Sequence, residues 1–101
     1  MNDQISQLHA LRLKIAAYSQ TLAERELSGR VLGLEIEARL RTANAGLSPT
    51  AAEKARRGDP QYLDHERRSI QLAYDKAVTE AEAEALKLRI EYATADLRRA
   101  A

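Results

Sequence analysis

Residues 5–22 read ISQLHALRLKIAAYSQTL, and this stretch decides the fold class of the chain. Its large apolar side chains recur at steps of three and four residues. They are Ile5, Leu8, Leu11, Ile15, Tyr18 and Leu22. This spacing keeps a narrow apolar stripe on one face of a helix, which is typical of a helix that packs along a partner helix. The stretch therefore predicts a long α-helix that forms one half of a helical pair.

The composition extends this prediction to the whole chain. Ala, Glu, Lys, Leu and Arg supply 59 of the 101 residues, and there are only four Gly and two Pro. Such a bias is typical of long helices or coiled coils, and it argues against a sandwich, a barrel or a Rossmann-type fold. The absence of cysteine excludes disulfides, thiol catalysis and thiolate metal sites. The net charge of +1 means that a nucleic-acid partner would have to be held by a local basic patch.

We predict an all-α fold, a long antiparallel helical hairpin with a short helix at its tip, in a single domain covering residues 1–101. The first helix is expected over residues 3–44, the short helix over residues 49–57 and the last helix over residues 60–99. Two long helices cannot cover all of their apolar surface against each other. Self-association into an oligomeric helical bundle is therefore expected.

The boundaries of the short helix follow from turn and cap signals. Gly46 suits a left-handed cap at the end of the first helix. The short helix has two alternative starts, Ser48 as N-cap before Pro49, or Thr50 in a capping box with the glutamate three residues later. Gly58 should end this helix, and the dipeptide Asp59–Pro60 is a second start signal.

The second half of the first helix carries three charge pairs at the favourable i,i+4 spacing, Glu26–Arg30, Glu35–Arg39 and Glu37–Arg41. Arg25 falls where the apolar stripe should continue. Gly29 and Gly33 interrupt the helix, and each costs about 1 kcal/mol relative to alanine. Three explanations remain open for the glycines: close approach of a second helix, a hinge, or glycines tolerated in a helix held by tertiary contacts.

The last helix carries a stripe whose centre is alanine. Its members are Leu63, Ile70, Tyr74, Ala77, Ala81, Ala85, Leu88, Tyr92 and Ala95. Alanine permits a short helix–helix distance, and a seam of this kind opposite Gly29 and Gly33 would be consistent with both features. The residues predicted to pack between helices or between copies are Leu8, Ile15, Leu22, Gly29, Gly33, Ile70, Ala77, Ala81 and Leu88.

The residues that could support catalysis or metal binding do not form a recognisable site. His9 and His65 lie in different helices, and the sequence has no HExxH motif and no glycine-rich phosphate loop. Glu80, Glu82 and Glu84 are expected to form a solvated acidic face. We therefore predict no enzymatic activity, no cofactor and no metal.

No stretch of the sequence approaches the roughly 18 apolar residues of a membrane span. The N-terminus lacks the basic and apolar regions of a signal peptide. A soluble, cytoplasmic protein without a membrane partner is expected.

A basic cluster is predicted at the tip of the hairpin. Residues 39–58 carry a local charge of +4, whereas residues 69–97 carry −3. Arginines beside an aromatic side chain can bind single-stranded nucleic acid through phosphate contacts and base stacking. The candidate nucleic-acid-binding residues are Arg39, Arg41, Lys54, Arg56, Arg57, Tyr62, Arg67 and Arg68. The alternative is a polar tip in which Tyr62 packs against the short helix.

The segments PTAAE (residues 49–53) and RGDPQY (residues 57–62), followed by an alanine-rich helix through Arg89, resemble small helical accessory proteins of bacteriophages. Among these, the chain is similar to UvsY-like recombination mediators over about residues 15–100. The resemblance implies an oligomer that binds single-stranded DNA and helps to load a recombinase. It also implies that the basic residues of the tip contact phosphates and that Tyr62 stacks on a base.

Two other classes of function stay open. Arg25 within the seam, apolar residues such as Leu13 and Leu34, and the balanced charge fit a protein-interaction module equally well. Such a module would be an adaptor, chaperone or inhibitor of a larger partner and would not bind nucleic acid. A structural coiled-coil subunit of a phage particle would assemble without binding any ligand.

Overall fold

The computed structural model describes residues 2–100 and contains three α-helices. They are α1 (Asn2–Ala43), α2 (Pro49–Arg56) and α3 (Pro60–Ala100). No strand is present in this part of the chain. The all-α class is confirmed, and each helix boundary lies within one residue of its predicted position.

The start of α2 is settled by one side chain. The Ser48 hydroxyl oxygen accepts a hydrogen bond of 3.2 Å from the Ala51 N–H, and Pro49 occupies the first helical turn. Ser48 is therefore the N-cap, and the alternative start at Thr50 is not used. At the start of α3, the Asp59 carboxylate accepts hydrogen bonds from the N–H groups of the second and third residues that follow it.

The end of α1 differs from the prediction. None of the four glycines, all of which lie within residues 2–100, has a positive φ, so the left-handed cap expected at Gly46 is wrong. Asn44 closes the turn instead. Its side-chain oxygen accepts from the Gly46 N–H at 3.3 Å, and its carbonyl accepts from the Leu47 N–H at 3.0 Å. Local hydrogen bonds to an Asn side chain provide a turn without a left-handed residue.

The described chain falls into two compact units. The terminal unit combines the stretch up to Gln20 with the stretch from Ala73 onward. The central unit is Thr21–Leu72 and contains all of α2.

The core of the terminal unit joins the two ends of the sequence. Leu8 of α1 is buried with Ala83 and Leu86 of α3. Three half-buried residues pack against this cluster: Leu11, Ile15 and Ile90. The predicted seam of α1 is thus confirmed in this unit, except that Ile5 is exposed.

In the central unit, Ile36 of α1 and Ala52 of α2 are fully buried, and polar contacts join α1 to α3. The Arg25 guanidinium, at the predicted seam position, donates to the Ser69 hydroxyl at 3.0 Å and to the His65 carbonyl at 2.9 Å. Further along α1, Arg39 pairs with Asp59 immediately before α3. The residue numbers of the α1 members of these pairs increase as those of their partners decrease, so the two helices are antiparallel within this unit.

The face of α3 that packs on α1 is not the predicted one. The buried and half-buried positions include His65, Ser69, Thr79, Ala83 and Leu86. Its hydroxyls are satisfied within the helix, because Ser69 donates to the His65 carbonyl and Thr79 to the Asp75 carbonyl. Of the residues predicted to pack between helices or between copies, Ile70, Ala77, Ala81 and Leu88 are exposed. The alanine seam does not lie opposite Gly29 and Gly33, which are approached by the side chains of His65 and Arg56.

Candidate interaction surfaces

Both long helices carry a second apolar stripe that is exposed in the chain. The α1 outer stripe consists of Leu13, Ala16, Ala23, Leu27, Val31 and Leu34. The α3 outer stripe consists of Ile70, Tyr74, Ala77, Ala81, Ala85, Leu88 and Tyr92. Leu34 and Ile70 have 63% and 67% of their surface exposed. Large exposed apolar patches mark interaction sites in soluble proteins.

The helical repeat explains why one helix has two apolar faces. In α1, the outer residues Leu13 and Leu27 follow the seam residues Leu8 and Leu22 by five positions, which places them about 140° around the helix from the seam. The predicted packing residues divide accordingly. Leu8, Ile15, Leu22, Gly29 and Gly33 lie on the inner face, whereas Ile70, Ala77, Ala81 and Leu88 lie on the α3 outer stripe.

At the predicted basic tip, Arg56 and Tyr62 are engaged with the protein itself. The Arg56 Nη1 donates to the Glu37 carboxylate at 2.9 Å, and both side chains are only 20% exposed. The Arg56 guanidinium also lies over the Tyr62 ring, 5.3 Å from its centroid. One face of the ring is therefore covered by a cation, which agrees with the alternative in which Tyr62 packs within the tip.

Tertiary contacts also replace two of the three predicted i,i+4 pairs. Glu26 and Arg30 pair as predicted, at 2.9 Å. Arg39 instead pairs at 3.0 Å with Asp59, whose other carboxylate oxygen caps α3. Glu37 pairs with Arg56, so the predicted Glu35–Arg39 and Glu37–Arg41 pairs do not form. At both sites the α1 residue pairs with a residue outside α1, and the i,i+4 pair that is given up would contribute only about 0.2–0.5 kcal/mol.

The remaining cations of the tip are exposed. Arg41, Lys54 and Arg67 pair with no carboxylate among residues 2–100. Arg57 pairs with Glu53 at 3.4 Å, and Arg68 pairs with Asp64 at 3.1 Å. Exposed ion pairs of this kind contribute about 0–1 kcal/mol to stability, so Arg57 and Arg68 can exchange these carboxylates for other partners.

The two glycines of α1 make room for side chains from the other helices. A Cβ atom at Gly29 would lie 2.9 Å from Cε1 of His65. A Cβ atom at Gly33 would lie 2.9 Å from Cδ of Arg56. Close approach is therefore the correct explanation of both glycines, with the difference that the approaching groups are side chains and not a helix backbone.

Three positions of the central unit make contacts that the sequence does not predict. His65 packs over Gly29. Glu37 pairs with Arg56 and not with Arg41. Arg25, at a seam position, donates to Ser69 and to the His65 carbonyl. A polar residue at a seam position is itself a signal, because it requires a polar partner on the facing helix.

The described residues offer little for metal or membrane chemistry. Residues 2–100 contain no group of three His, Asp or Glu side chains placed to hold a metal ion. Among the helices described, none has the length and apolar content that crossing a membrane requires. Comparison with protein-family models, curated proteins and solved structures finds no match to this chain.

Proposed function

We propose that the chain is a non-enzymatic antiparallel helical hairpin whose copies assemble into a helical bundle through the outer stripes of α1 and α3. The exposure of these stripes carries the proposal. The α3 outer stripe keeps the three- and four-residue spacing throughout, and the α1 outer stripe keeps it except between Ala16 and Ala23. Both stripes consist largely of Ala and Leu side chains, the types that form the core between α1 and α3 in the terminal unit. A second copy of the chain therefore presents the same kind of surface, and a two-fold arrangement would cover the stripes of both copies at once.

Alanine in the α3 outer stripe supports a close helix–helix contact. Ala77, Ala81 and Ala85 leave no large side chain to hold a neighbouring helix away. Large exposed residues lie on both sides of them, Ile70 and Tyr74 before and Leu88 and Tyr92 after. A surface with a flat centre and bulky ends suits knobs-into-holes packing against a helix of another copy.

Light scattering coupled to size-exclusion chromatography tests this assembly. The wild-type chain should show a mass above the 11.3 kDa of one copy, and the mass should rise with concentration. Leu27→Glu and Leu34→Glu should give the monomer mass with unchanged helicity, because each buries a charge in the contact. Thr21→Glu adds the same charge at an exposed position outside the stripe and should assemble like wild type.

A wild-type chain that remains monomeric at every concentration would refute self-assembly. The outer stripes would then have to serve a different protein, as in the adaptor or chaperone alternative.

A second candidate function is favoured by the exposed cations of the tip. Arg41, Lys54 and Arg67 are free of carboxylate partners within residues 2–100, and an assembly would bring several such sets together. Such a surface could bind the phosphates of single-stranded DNA and serve a recombinase, as the resemblance to UvsY-like mediators implies. Arg56 and Tyr62 contribute less to this proposal than the sequence suggested, because Arg56 already pairs with Glu37 and lies over the Tyr62 ring.

Fluorescence anisotropy with a labelled oligothymidylate, titrated over salt concentration, tests DNA binding. Binding should weaken with salt, and each lost phosphate contact should reduce the slope of log K against log salt by about 0.7. Arg41→Glu and Lys54→Glu should weaken binding, whereas Lys14→Glu, an exposed cation of the terminal unit, should not. Equal binding by all three variants, or none by wild type at low salt, would contradict this second proposal.

A further inference from the structure

In the central unit, the outer stripes of α1 and α3 are bordered on the same side by charges of opposite sign. Arg30 follows the stripe residue Leu27 by three positions, and Glu66 precedes the stripe residue Ile70 by four. Both steps turn about 40–60° to the left of the stripe, when the helix is viewed from outside with its N-terminus at the bottom. Both side chains are exposed, and Arg30 makes only an exposed pair with Glu26, which can exchange.

The terminal unit repeats this arrangement. Arg12 precedes the stripe residue Ala16 by four positions, and Glu84 follows the stripe residue Ala81 by three. Both charges again lie to the left of their stripe, and both are exposed. Neither forms an ion pair within residues 2–100. The left side of α1 is thus basic, and the left side of α3 is acidic, in each unit taken separately.

The direction of a helix–helix contact decides which of these sides meet. Turning a helix to face another exchanges its left and right sides, and reversing its direction exchanges them again. Antiparallel helices therefore bring their left sides together. An antiparallel contact of α1 with α3 of another copy sets arginine beside glutamate, whereas antiparallel contacts of like helices set arginine beside arginine or glutamate beside glutamate. Charges that border an apolar seam set partner choice and orientation in this way.

Parallel contacts, which bring a left side to a right side, are less suitable. The right side of α3 carries both signs: Arg67, Glu82, Arg89 and Asp96. A parallel contact of α1 with α3 therefore forms no matched set of charges. A parallel contact between two α1 helices sets Arg30 near Glu35 and is not opposed by charge, but it leaves the outer stripe of α3 uncovered.

One antiparallel register satisfies the apolar and the charged residues of the central unit together. Setting Leu27 beside Ile70 of another copy also sets Leu34 beside Leu63, because the members of each helix are seven residues apart. All four side chains are exposed. In this register Arg30 lies one residue, about 1.5 Å along the axis, from the level of Glu66.

The same register also suits the terminal unit. It sets Ala16 beside Ala81, so that two small side chains meet. Arg12 then lies one residue, about 1.5 Å, from the level of Glu84. The apolar pairs and the ion pairs of both units therefore require the same direction and the same alignment.

We propose that the outer stripe of α1 in one copy packs antiparallel on the outer stripe of α3 in another copy, with Arg30 facing Glu66 and Arg12 facing Glu84. This inference rests on the self-assembly proposed above and adds the pairing of faces, their direction and their register. Pairing of unlike faces covers both stripes with a single kind of contact.

Disulfide trapping tests which faces meet, since the chain has no cysteine of its own. Leu27→Cys labelled with ¹⁵N and unlabelled Ile70→Cys are mixed in equal amounts, refolded together from urea and oxidised, and the dimers are counted by intact mass spectrometry. The mixed dimer should be more abundant than both symmetric dimers together. Leu88→Cys is the matched control for Ile70→Cys, because it lies on the same stripe but 18 residues away. That distance is about 27 Å, beyond the roughly 7 Å between Cα atoms that a disulfide spans, so it should form few mixed dimers.

Charge reversal in separate chains tests the ion pair. Arg30→Glu and Glu66→Arg should each raise the concentration at which half of the chain is assembled, by roughly fivefold, because like charges then face each other. An equimolar mixture of the two variants should assemble like wild type, since each reversed charge then meets its complement on the other variant. No chain in the mixture carries both substitutions, so a contact within one chain cannot produce this recovery.

Three results would overturn the inference: a majority of symmetric disulfide dimers, equal yields with Ile70→Cys and Leu88→Cys, or no recovery in the mixture of charge variants. Light scattering on the same wild-type sample reports assembly separately. A monomeric wild type would refute self-assembly and this inference together, whereas an assembled chain with the wrong disulfide pattern would refute only the pairing of faces.

Discussion

Replacing Gly33 with alanine should destabilise the protein, although alanine is the better helix former. Gly33 lies inside α1, where the substitution alone would contribute about 1 kcal/mol of stability. The new Cβ would lie 2.9 Å from Cδ and 3.0 Å from Nη1 of Arg56, so that side chain must move. It cannot move freely, because its guanidinium is held by Glu37 and lies over the Tyr62 ring.

The loss can be estimated from the contact that is broken. A hydrogen bond between charged, half-buried groups contributes about 1.5–3 kcal/mol. Subtracting the gain in helix propensity leaves a net loss of about 0.5–2 kcal/mol in the free energy of unfolding. In an Arg56→Ala background the obstacle is absent, and the same substitution should stabilise the protein by about 1 kcal/mol. The sign of the effect therefore depends on Arg56.

Urea unfolding followed by far-UV circular dichroism measures all four members of this double-mutant cycle. One protein concentration must be used throughout, since association adds to apparent stability. Gly46→Ala is the matched control, because its Cβ would lie 3.7 Å from the nearest atom and Arg56 is not near it. Stabilisation of about 1 kcal/mol by Gly33→Ala in both backgrounds would refute the close contact.

Further predictions concern one cap and one core position. Asp59→Asn should cost about 0–1 kcal/mol through loss of the ion pair with Arg39, and this cost should fall as salt is added. Asp59→Ala should cost about 0.5–2 kcal/mol more, because it also removes the cap of α3; equal unfolding free energies for the two variants would contradict the capping role. Ile36→Ala should cost about 2–5 kcal/mol, since Ile36 is 1% exposed. Leu34 lies on the same helix and is 63% exposed, so Leu34→Ala should leave monomer stability nearly unchanged but weaken association. A similar loss of unfolding free energy in Ile36→Ala and Leu34→Ala would contradict the assignment of Ile36 to the inner face and Leu34 to the outer face.

The helix boundaries were predictable because they depend on local chemistry. Ser48 and Asp59 act as caps through hydrogen bonds to residues two or three positions away, which any sequence window contains. The turn at Gly46 was missed because two local solutions compete there, a left-handed glycine and a side-chain hydrogen bond from Asn44, and the second forms. Local sequence rules identify both ways of closing this turn but do not show which of them is more stable.

The packing face of α3 was not predictable from apolar spacing. The helix has two faces with the same repeat, and the more apolar one, with Ile70 and Leu88, is exposed. The contact face contains Ser69 and Thr79, whose hydroxyls donate to backbone carbonyls of α3, and His65, whose Nε2 lies 3.2 Å from the Ser28 hydroxyl of α1. Nothing in the periodicity of one helix specifies which face its neighbour covers.

The contacts within the candidate sites were likewise not predictable from the sequence. The partners of the tip cations were not predictable, because Arg56–Glu37 and Arg39–Asp59 join residues about twenty positions apart. The pocket of the central unit that Arg25, Arg56 and Ser69 help to line could not be found from the sequence either, since it combines side chains from three helices.

Thiol reactivity of a single reporter cysteine tests the central claim, that copies associate through the outer stripes, most directly. The chain has no cysteine, so Ala81→Cys reports on the α3 outer stripe and its neighbour Glu82→Cys on an exposed position turned about 100° away from it. Raising the protein concentration should progressively protect Ala81→Cys from a thiol reagent while Glu82→Cys reacts at an unchanged rate. If both cysteines react equally fast at every concentration, the outer stripes remain open to solvent and the account is contradicted.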